Sequence, residues 1–254
     1  MTTILVTGGT GTLGRAVVTQ LPADGHSVRV LSRRPHEDET VEWVTGDLTT
    51  GAGLDEAVRG ADAIIHCATD TRHPRRDVDG TQNLIDATRC NGAPHLVYIS
   101  IVGVDRIPLG YYRVKLEVER LIEDSGLPWT ILRATQFHDL VSTVARILTW
   151  LPVAAVPAGT SFQPVDVRDV AARLGELAVT APAGRAPDFG GPEVSSAVDL
   201  VRAHLHASGR RRAVLPVRMP GKVAGAYRDG GHLAPEHADG RRTFEEFLAE
   251  HVTG

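Results

Sequence analysis

The chain has 254 residues, 42% of them hydrophobic, enough to bury a large core in one α/β domain with at most a small appended lobe. A formal net charge of -4 argues against nucleic acid or an anionic membrane as the main partner. Its two cysteines, Cys67 and Cys90, form no C-x-x-C pair and point to a reducing compartment, with Cys67 in an apolar run as a buried structural thiol.

Thr3-Ile4-Leu5-Val6-Thr7 is a short apolar, β-rich run stopped by glycine, and its early start leaves no room for a signal peptide ahead of the fold. A helix is predicted over 13–21, ended by Pro22. Strands follow over 27–31 and 41–45, then a short helix over 54–59 and a continuous apolar strand over 61–68. A helix over 81–90 stops at Asn91-Gly92, a strand spans 95–100, a helix 111–125 and a strand 129–133. Beyond Ala134 the pattern is less regular. A helix to about Trp150 leads into a Pro-rich connection, and helices are expected over 168–179, 198–207 and 244–251. The apolar stretch 147–158 is too short for a membrane span, so the expected location is cytoplasmic.

Apolar strands alternating with helices indicate a doubly wound parallel sheet of Rossmann type, with a small C-terminal substrate lobe. The organisation expected is one domain over 1–254, roughly 1–133 forming a dinucleotide-binding core and 134–254 a mixed core and substrate lobe.

The run Gly8-Gly9-Thr10-Gly11-Thr12-Leu13-Gly14 lies between the first strand and the first helix. Glycines let the backbone turn tightly and approach a pyrophosphate, while the helix start supplies free N–H groups and a positive dipole. The run reads both as G-x-x-G-x-x-G on Gly8, Gly11 and Gly14 and as G-x-G-x-x-G on Gly9, Gly11 and Gly14. The second strand ends in Leu31-Ser32-Arg33-Arg34, with no acid before Glu37. Arginines there suit the 2′-phosphate of NADP(H), which is therefore favoured over NAD(H). The alternative for Arg34 is a solvated loop position.

These residues resemble the NmrA-like branch of the atypical short-chain dehydrogenase/reductases. The resemblance extends over Gly46-Asp47-Leu48, His66-Cys67-Ala68-Thr69, Tyr98-Ile99-Ser100, the segment from Tyr111 to Glu117, that from Trp129 to His138, and Pro164 to Val170. It implies that Asp47 and Leu48 hold the adenine and that Ala68 and Thr69 pass along the ribose and phosphates, with Gly8, Thr10, Gly11, Thr12, Leu13 and Gly14 around the pyrophosphate. Asp47 has an alternative as the capping residue of its own Asp-Leu-Thr-Thr turn.

Tyr111 and Lys115 form the Y-x-x-x-K spacing that resembles the active pair of the same superfamily. One helical turn places them on one face, where an ammonium can stabilise a phenolate and bridge ribose hydroxyls. Lys115 is one of only two lysines and falls beside the apolar stripe Val114, Val118, Leu121 and Ile122. The alternative is a structural lysine snorkelling to solvent. Ser100 would orient a substrate carbonyl, or else cap a turn at the strand end. The following Ile101-Val102-Gly103-Val104 lacks the further hydroxyls common in the superfamily. Gln136, Phe137 and His138 would face the substrate, His138 as a substitute proton donor. No metal-ligand cluster is present.

The expected function is an NADP(H)-dependent reductase acting on a small carbonyl, quinone or conjugated acceptor, as a monomer or homodimer. A nucleotide sensor without turnover and an extended-type sugar-nucleotide epimerase or dehydratase are the competing readings.

Overall fold

The computed structural model describes residues 2–36 and 40–252; Glu37 lies outside them. In chain order the elements are β1 (Thr3–Thr7), α1 (Thr12–Gln20), β2 (Ser27–Ser32), β3 (Glu42–Thr45), α2 (Leu54–Val58), β4 (Ala63–His66), α3 (Arg75–Cys90), β5 (His95–Ile101), α4 (Gly110–Glu123) and β6 (Trp129–Ala134). They continue with α5 (His138–Leu148), β7 (Val153–Pro157), β8 (Ser161–Phe162), α6 (Val167–Val179), β9 (Gly184–Arg185), β10 (Ser195–Ser196), α7 (Ala197–Ala207), β11 (Ala213–Val217), α8 (Lys222–Arg228) and α9 (Phe244–His251).

Seven strands form one parallel sheet in the order β3-β2-β1-β4-β5-β6-β9. The chain winds outward from β1 to β3, then crosses back to start again at β4. The order therefore reverses between β1 and β4, and the C-terminal ends of those two strands flank the crevice where such sheets take ligands. The fold is the α/β, doubly wound Rossmann-like sheet expected.

Residues Ile4, Leu5 and Val6 of β1, Ile64 and Ile65 of β4, and Leu96 and Val97 of β5 are fully buried, because helices cover both faces of the sheet. On one face Leu5, Ile64, Leu96 and Ile131 pack against Leu84 and Ile85 of α3 and Val118 and Ile122 of α4. Each such side chain contributes about 1.5–3 kcal/mol on burial.

Helix α3 begins at Arg75, six residues before the start at Thr81 expected from apolar periodicity. Its first two turns carry Arg75, Arg76, Asp77 and Asp79, so no apolar repeat marks them; Pro74 at the N-cap and Asp77 beside the helix dipole do. Strand β5 runs one residue past Ser100.

The chain divides into two compact units. The first comprises Met1–Ser100, Gly110–Arg133 and Val170–Pro187; the second comprises Ile101–Leu109, Ala134–Asp169 and Asp188–Gly254. Within the second, α5, α7 and α9 meet through Ala145, Val201 and Leu205, and through Leu200, Phe244, Phe247 and Leu248. Thr243 and Glu246 close a capping box at the start of α9. The stretch expected as a Pro-rich connection instead holds β7, paired in parallel with β11. Pro157 and Pro216 are tolerated because a two-stranded ribbon has only edges.

Among the described residues, no helix is long and apolar enough to cross a membrane, and no group of acidic, histidine or cysteine side chains is arranged to hold a metal ion.

Candidate functional site

The glycine turn is built against the loop that follows β4. Gly8 has φ 72°, and a Cβ there would lie 2.6 Å from the Ala68 backbone nitrogen. The Gly11 N–H donates to the Gly8 carbonyl at 2.9 Å, and a Cβ on Gly14 would overlap that same oxygen. Thr10, Gly11 and Thr12 are exposed, Leu13 and Gly14 are buried, and no side chain caps α1. A glycine-rich turn at a helix start that no side chain caps fits the pyrophosphate of a dinucleotide.

His66 braces the turn from beneath. Its Nδ1 lies 2.6 Å from Thr7 Oγ1 and its Nε2 3.1 Å from Thr81 Oγ1, tying β1, β4 and α3 together. Burial, then the charge of Lys115, pushes the imidazole pKa down to about 3, so it stays neutral.

At the far end of β2, Arg33 and Arg34 are exposed, and neither guanidinium has an acidic partner among the described residues. The Ser32 hydroxyl accepts the Arg34 N–H at 3.2 Å and lies 3.0 Å from His36 Nε2, while His36 stacks on Trp43 at 3.9 Å. Asp47 Oδ1 accepts the Thr49 N–H at 2.8 Å, so this carboxylate shapes its own turn. The Leu48 carbonyl accepts Asn83 Nδ2 at 2.8 Å, and Leu48 packs on Gly80.

Tyr111 and Lys115 occupy one side of α4 and face different partners. The Tyr111 hydroxyl lies 2.9 Å from Thr69 Oγ1, which donates to Asp77 Oδ2 at 2.6 Å. Asp77 Oδ1 accepts the Asp70 N–H at 2.7 Å, fixing the carboxylate. Lys115 is 4% exposed; its Nζ donates to the Ile99 carbonyl at 3.1 Å and stands 4.4 Å over the Tyr98 ring. Burial brings the lysine pKa down to about 8, against the pull of Asp77, Cys67 and Glu119. The phenol of Tyr111 is pushed up, by burial first and by Asp77, with Thr69 working the other way. In this arrangement Asp77, not Lys115, is the charge that bears on the phenol. Cys67 is a free thiol, pushed up to about 12 by burial and hence protonated.

Ser100 is buried inside β5, and its hydroxyl makes no hydrogen bond of ordinary geometry. It lies close enough to Glu119 to favour the ionised carboxylate. Glu119 is fully buried and pairs with Arg133 and Arg185. In the sequence Asp77 and Glu119 carry no site signal of their own, and His66 stands in the resemblance segment without a role. Extending Y-x-x-x-K by four residues reaches Glu119, so the same helical spacing that found Lys115 also carries this acid.

Gln136, Phe137 and His138 belong to the second unit. Gln136 Nε2 reaches the His232 carbonyl at 3.4 Å, and Phe137 is the N-cap of α5. His138 is wholly buried between Phe244 and Phe247, at 5.7 and 5.2 Å between ring centroids. Burial holds its pKa low, against the Pro164 carbonyl and Asp166, whose Oδ2 is 3.9 Å from Nδ1.

Residues 8–174 match the model of a family described as NAD(P)H-binding. The chain is 32% identical over 249 residues to (4-alkanoyl-5-oxo-2,5-dihydrofuran-3-yl)methyl phosphate reductase of Streptomyces griseus, covering 88% of this chain and 84% of that one. Among solved structures it is similar to an NADPH-dependent quinone oxidoreductase of Escherichia coli in complex with NADPH, with TM-score 0.80, 19% identity and coverage of 97% and 99%. It is also similar to a nucleoside-diphosphate-sugar epimerase of Staphylococcus aureus, with TM-score 0.82, 20% identity and coverage of 98% and 100%. At those identities the two structures speak to the fold alone. With the family model spanning the glycine turn, Asp77 and the Tyr111–Lys115 helix together, the chain belongs to the NAD(P)H-binding family, among its NmrA-like, Rossmann-type reductases.

Proposed function

We propose that this protein is an NADP(H)-dependent reductase that passes a hydride to a small carbonyl, quinone or conjugated acceptor. One observation carries the reading. Consecutive residues of the β4–α3 loop touch both halves of the chemistry: the Ala68 backbone lies against Gly8 of the nucleotide turn, and the Thr69 hydroxyl bonds Tyr111. A nucleotide seated on the glycine turn would share that loop with a phenol kept protonated, the form a reduction needs.

The N–H groups at the start of α1 would hold the pyrophosphate. Arg33 and Arg34 are exposed and have no acidic partner among the described residues, which supports NADP(H) over NAD(H). The reduced nicotinamide supplies the hydride when bound. Lys115 uses one N–H on Ile99, and its others suit ribose hydroxyls. Tyr111 gives the acceptor its proton. Ser100 is assigned to orienting the acceptor. The reductase name of the Streptomyces griseus relative supports hydride transfer over a pure sensor.

Two measurements test this. NADPH should raise the melting temperature more than NADH at equal concentration; equal shifts would overturn the NADP(H) preference. In a panel of carbonyls and quinones, some acceptor should drive NADPH oxidation, and Tyr111→Phe should abolish that turnover while keeping NADPH affinity. Turnover unchanged in the variant would remove Tyr111 from the proton-donor role.

A further inference from the structure

Resting on the reading of Tyr111 as the proton donor, we propose that Asp77 and Thr69 form the path that returns a proton to Tyr111 after each turnover. Geometry assigns every hydrogen in the chain of contacts. A carboxylate carries no hydrogen, so at 2.6 Å the single hydroxyl hydrogen of Thr69 belongs to Asp77 Oδ2. Thr69 Oγ1 must then accept at 2.9 Å from the Tyr111 phenol. The resting array is therefore directional: phenol to hydroxyl to carboxylate.

The carboxylate is held in place for this. Asp77 sits in the first turn of α3, and its second oxygen accepts the Asp70 N–H at 2.7 Å. Asp70 in turn accepts the Arg72 and His73 N–H groups, both at 3.0 Å, so the loop is bonded at each end. Asp77 is partly exposed, and so opens the array to water.

In the reaction the Tyr111 O–H bond breaks as an O–H bond forms on the acceptor, whose carbon has taken the hydride. The Thr69 hydroxyl swings from Asp77 to the phenolate and gives up its hydrogen. Thr69 oxygen is refilled from Asp77, which draws one proton from water. One solvent proton is consumed per turnover, and no charge is left on the chain. The groups bearing on Tyr111 are Asp77 from α3, Tyr98 from β5 and the ring of Tyr112 from α4; the Lys115 ammonium donates one N–H to Ile99 and stands over the Tyr98 ring. Among the described residues, Asp77 is the anion coupled to the phenol, by way of the Thr69 hydroxyl.

The decisive measurement needs neither nucleotide nor acceptor. Ultraviolet difference titration of the chain against its Tyr111→Phe variant isolates the phenolate transition of Tyr111. In the Asp77→Asn background, where the one amide oxygen can still accept the Asp70 N–H, that transition should move to lower pH. A second measurement uses NADPH with 9,10-phenanthrenequinone. Asp77→Asn and Thr69→Val should each lower kcat about tenfold, Asp77→Asn with KM for NADPH within twofold, and Thr69→Ser should recover most of what Thr69→Val loses. An unmoved transition in Asp77→Asn, or undiminished kcat in both variants, overturns the relay. Undiminished kcat with Tyr111→Phe inactive removes the relay alone; an active Tyr111→Phe removes the reading beneath it.

Discussion

Glu119 and Arg133 form a two-armed ion pair, Nε to Oε1 at 2.9 Å and Nη2 to Oε2 at 2.7 Å, around a carboxylate with no exposure to solvent. Arg185 adds a third contact at 3.0 Å and reaches on to Glu123 at 2.6 Å. The pair joins α4, which carries Tyr111 and Lys115, to β6 and β9.

Removing the Glu119 charge takes from the mostly buried Arg133 guanidinium its two-armed carboxylate partner. Glu119→Gln should cost about 3 kcal/mol of stability at pH 7, read from urea unfolding. Burial pushes the Glu119 pKa up, but the hydrogen bonds of Arg133, the nearby Ser100 hydroxyl and the charges of Arg133 and Arg185 outweigh it, and the net shift is downward from 4.5. A depressed carboxyl contributes stability above its unfolded pKa and loses it as pH falls through the folded one. The variant should therefore lose less stability than the parent on acidification below about pH 4.5. A cost under 1 kcal/mol would show the pair to be screened.

Lys115 carries the opposite sign. Its pKa is lowered from 10.5 to about 8, which corresponds to about 3 kcal/mol of destabilisation while the buried ammonium is charged. That cost is complete below pH 8, where both states are protonated. Between 8 and 10.5 the unfolded chain binds more protons than the folded one, so stability rises with pH. Lys115→Met should be more stable than the parent at pH 7, should lack this alkaline rise and should fail to turn over. A less stable variant at pH 7 would mean that the Ile99 and Tyr98 contacts outweigh desolvation.

Arg33→Ala should weaken NADPH binding about ten- to a hundredfold, the effect of losing one hydrogen bond to a charged group. NADH binding should stay within twofold. Isothermal titration with both nucleotides checks this, and equal losses for the two would place Arg33 outside 2′-phosphate recognition.

Fold and nucleotide turn were legible in the sequence because both are local. The apolar runs of β1, β4 and β5 report burial on two faces, and the glycines lie within seven consecutive residues. Helical spacing likewise found Lys115 from Tyr111. Asp77 escaped because its partners are distant along the chain: Thr69 lies eight residues before it, and Tyr111 lies forty-two residues beyond Thr69. Its helix turn also carries no apolar repeat. The bracing role of His66 is not legible in the sequence, since its bonds to Thr7 and Thr81 depend on the β1–β4 register. In the second unit, prolines hid β7 and β11, because sequence alone does not show that each strand has a free edge.

The two adjacent glycines that open the turn differ in how they can change over evolutionary time. A side chain at Gly9 would meet the tip of Val30, with Val30 Cγ1 at 2.5 Å, so trimming Val30 to alanine makes room for it. A side chain at Gly8 would meet main chain at Ala68 and Cys67, and its φ of 72° disfavours any other residue. No substitution in the β4–α3 loop can move that backbone aside. Position 9 is thus open to compensated drift, whereas position 8 is frozen unless the loop itself gains or loses residues.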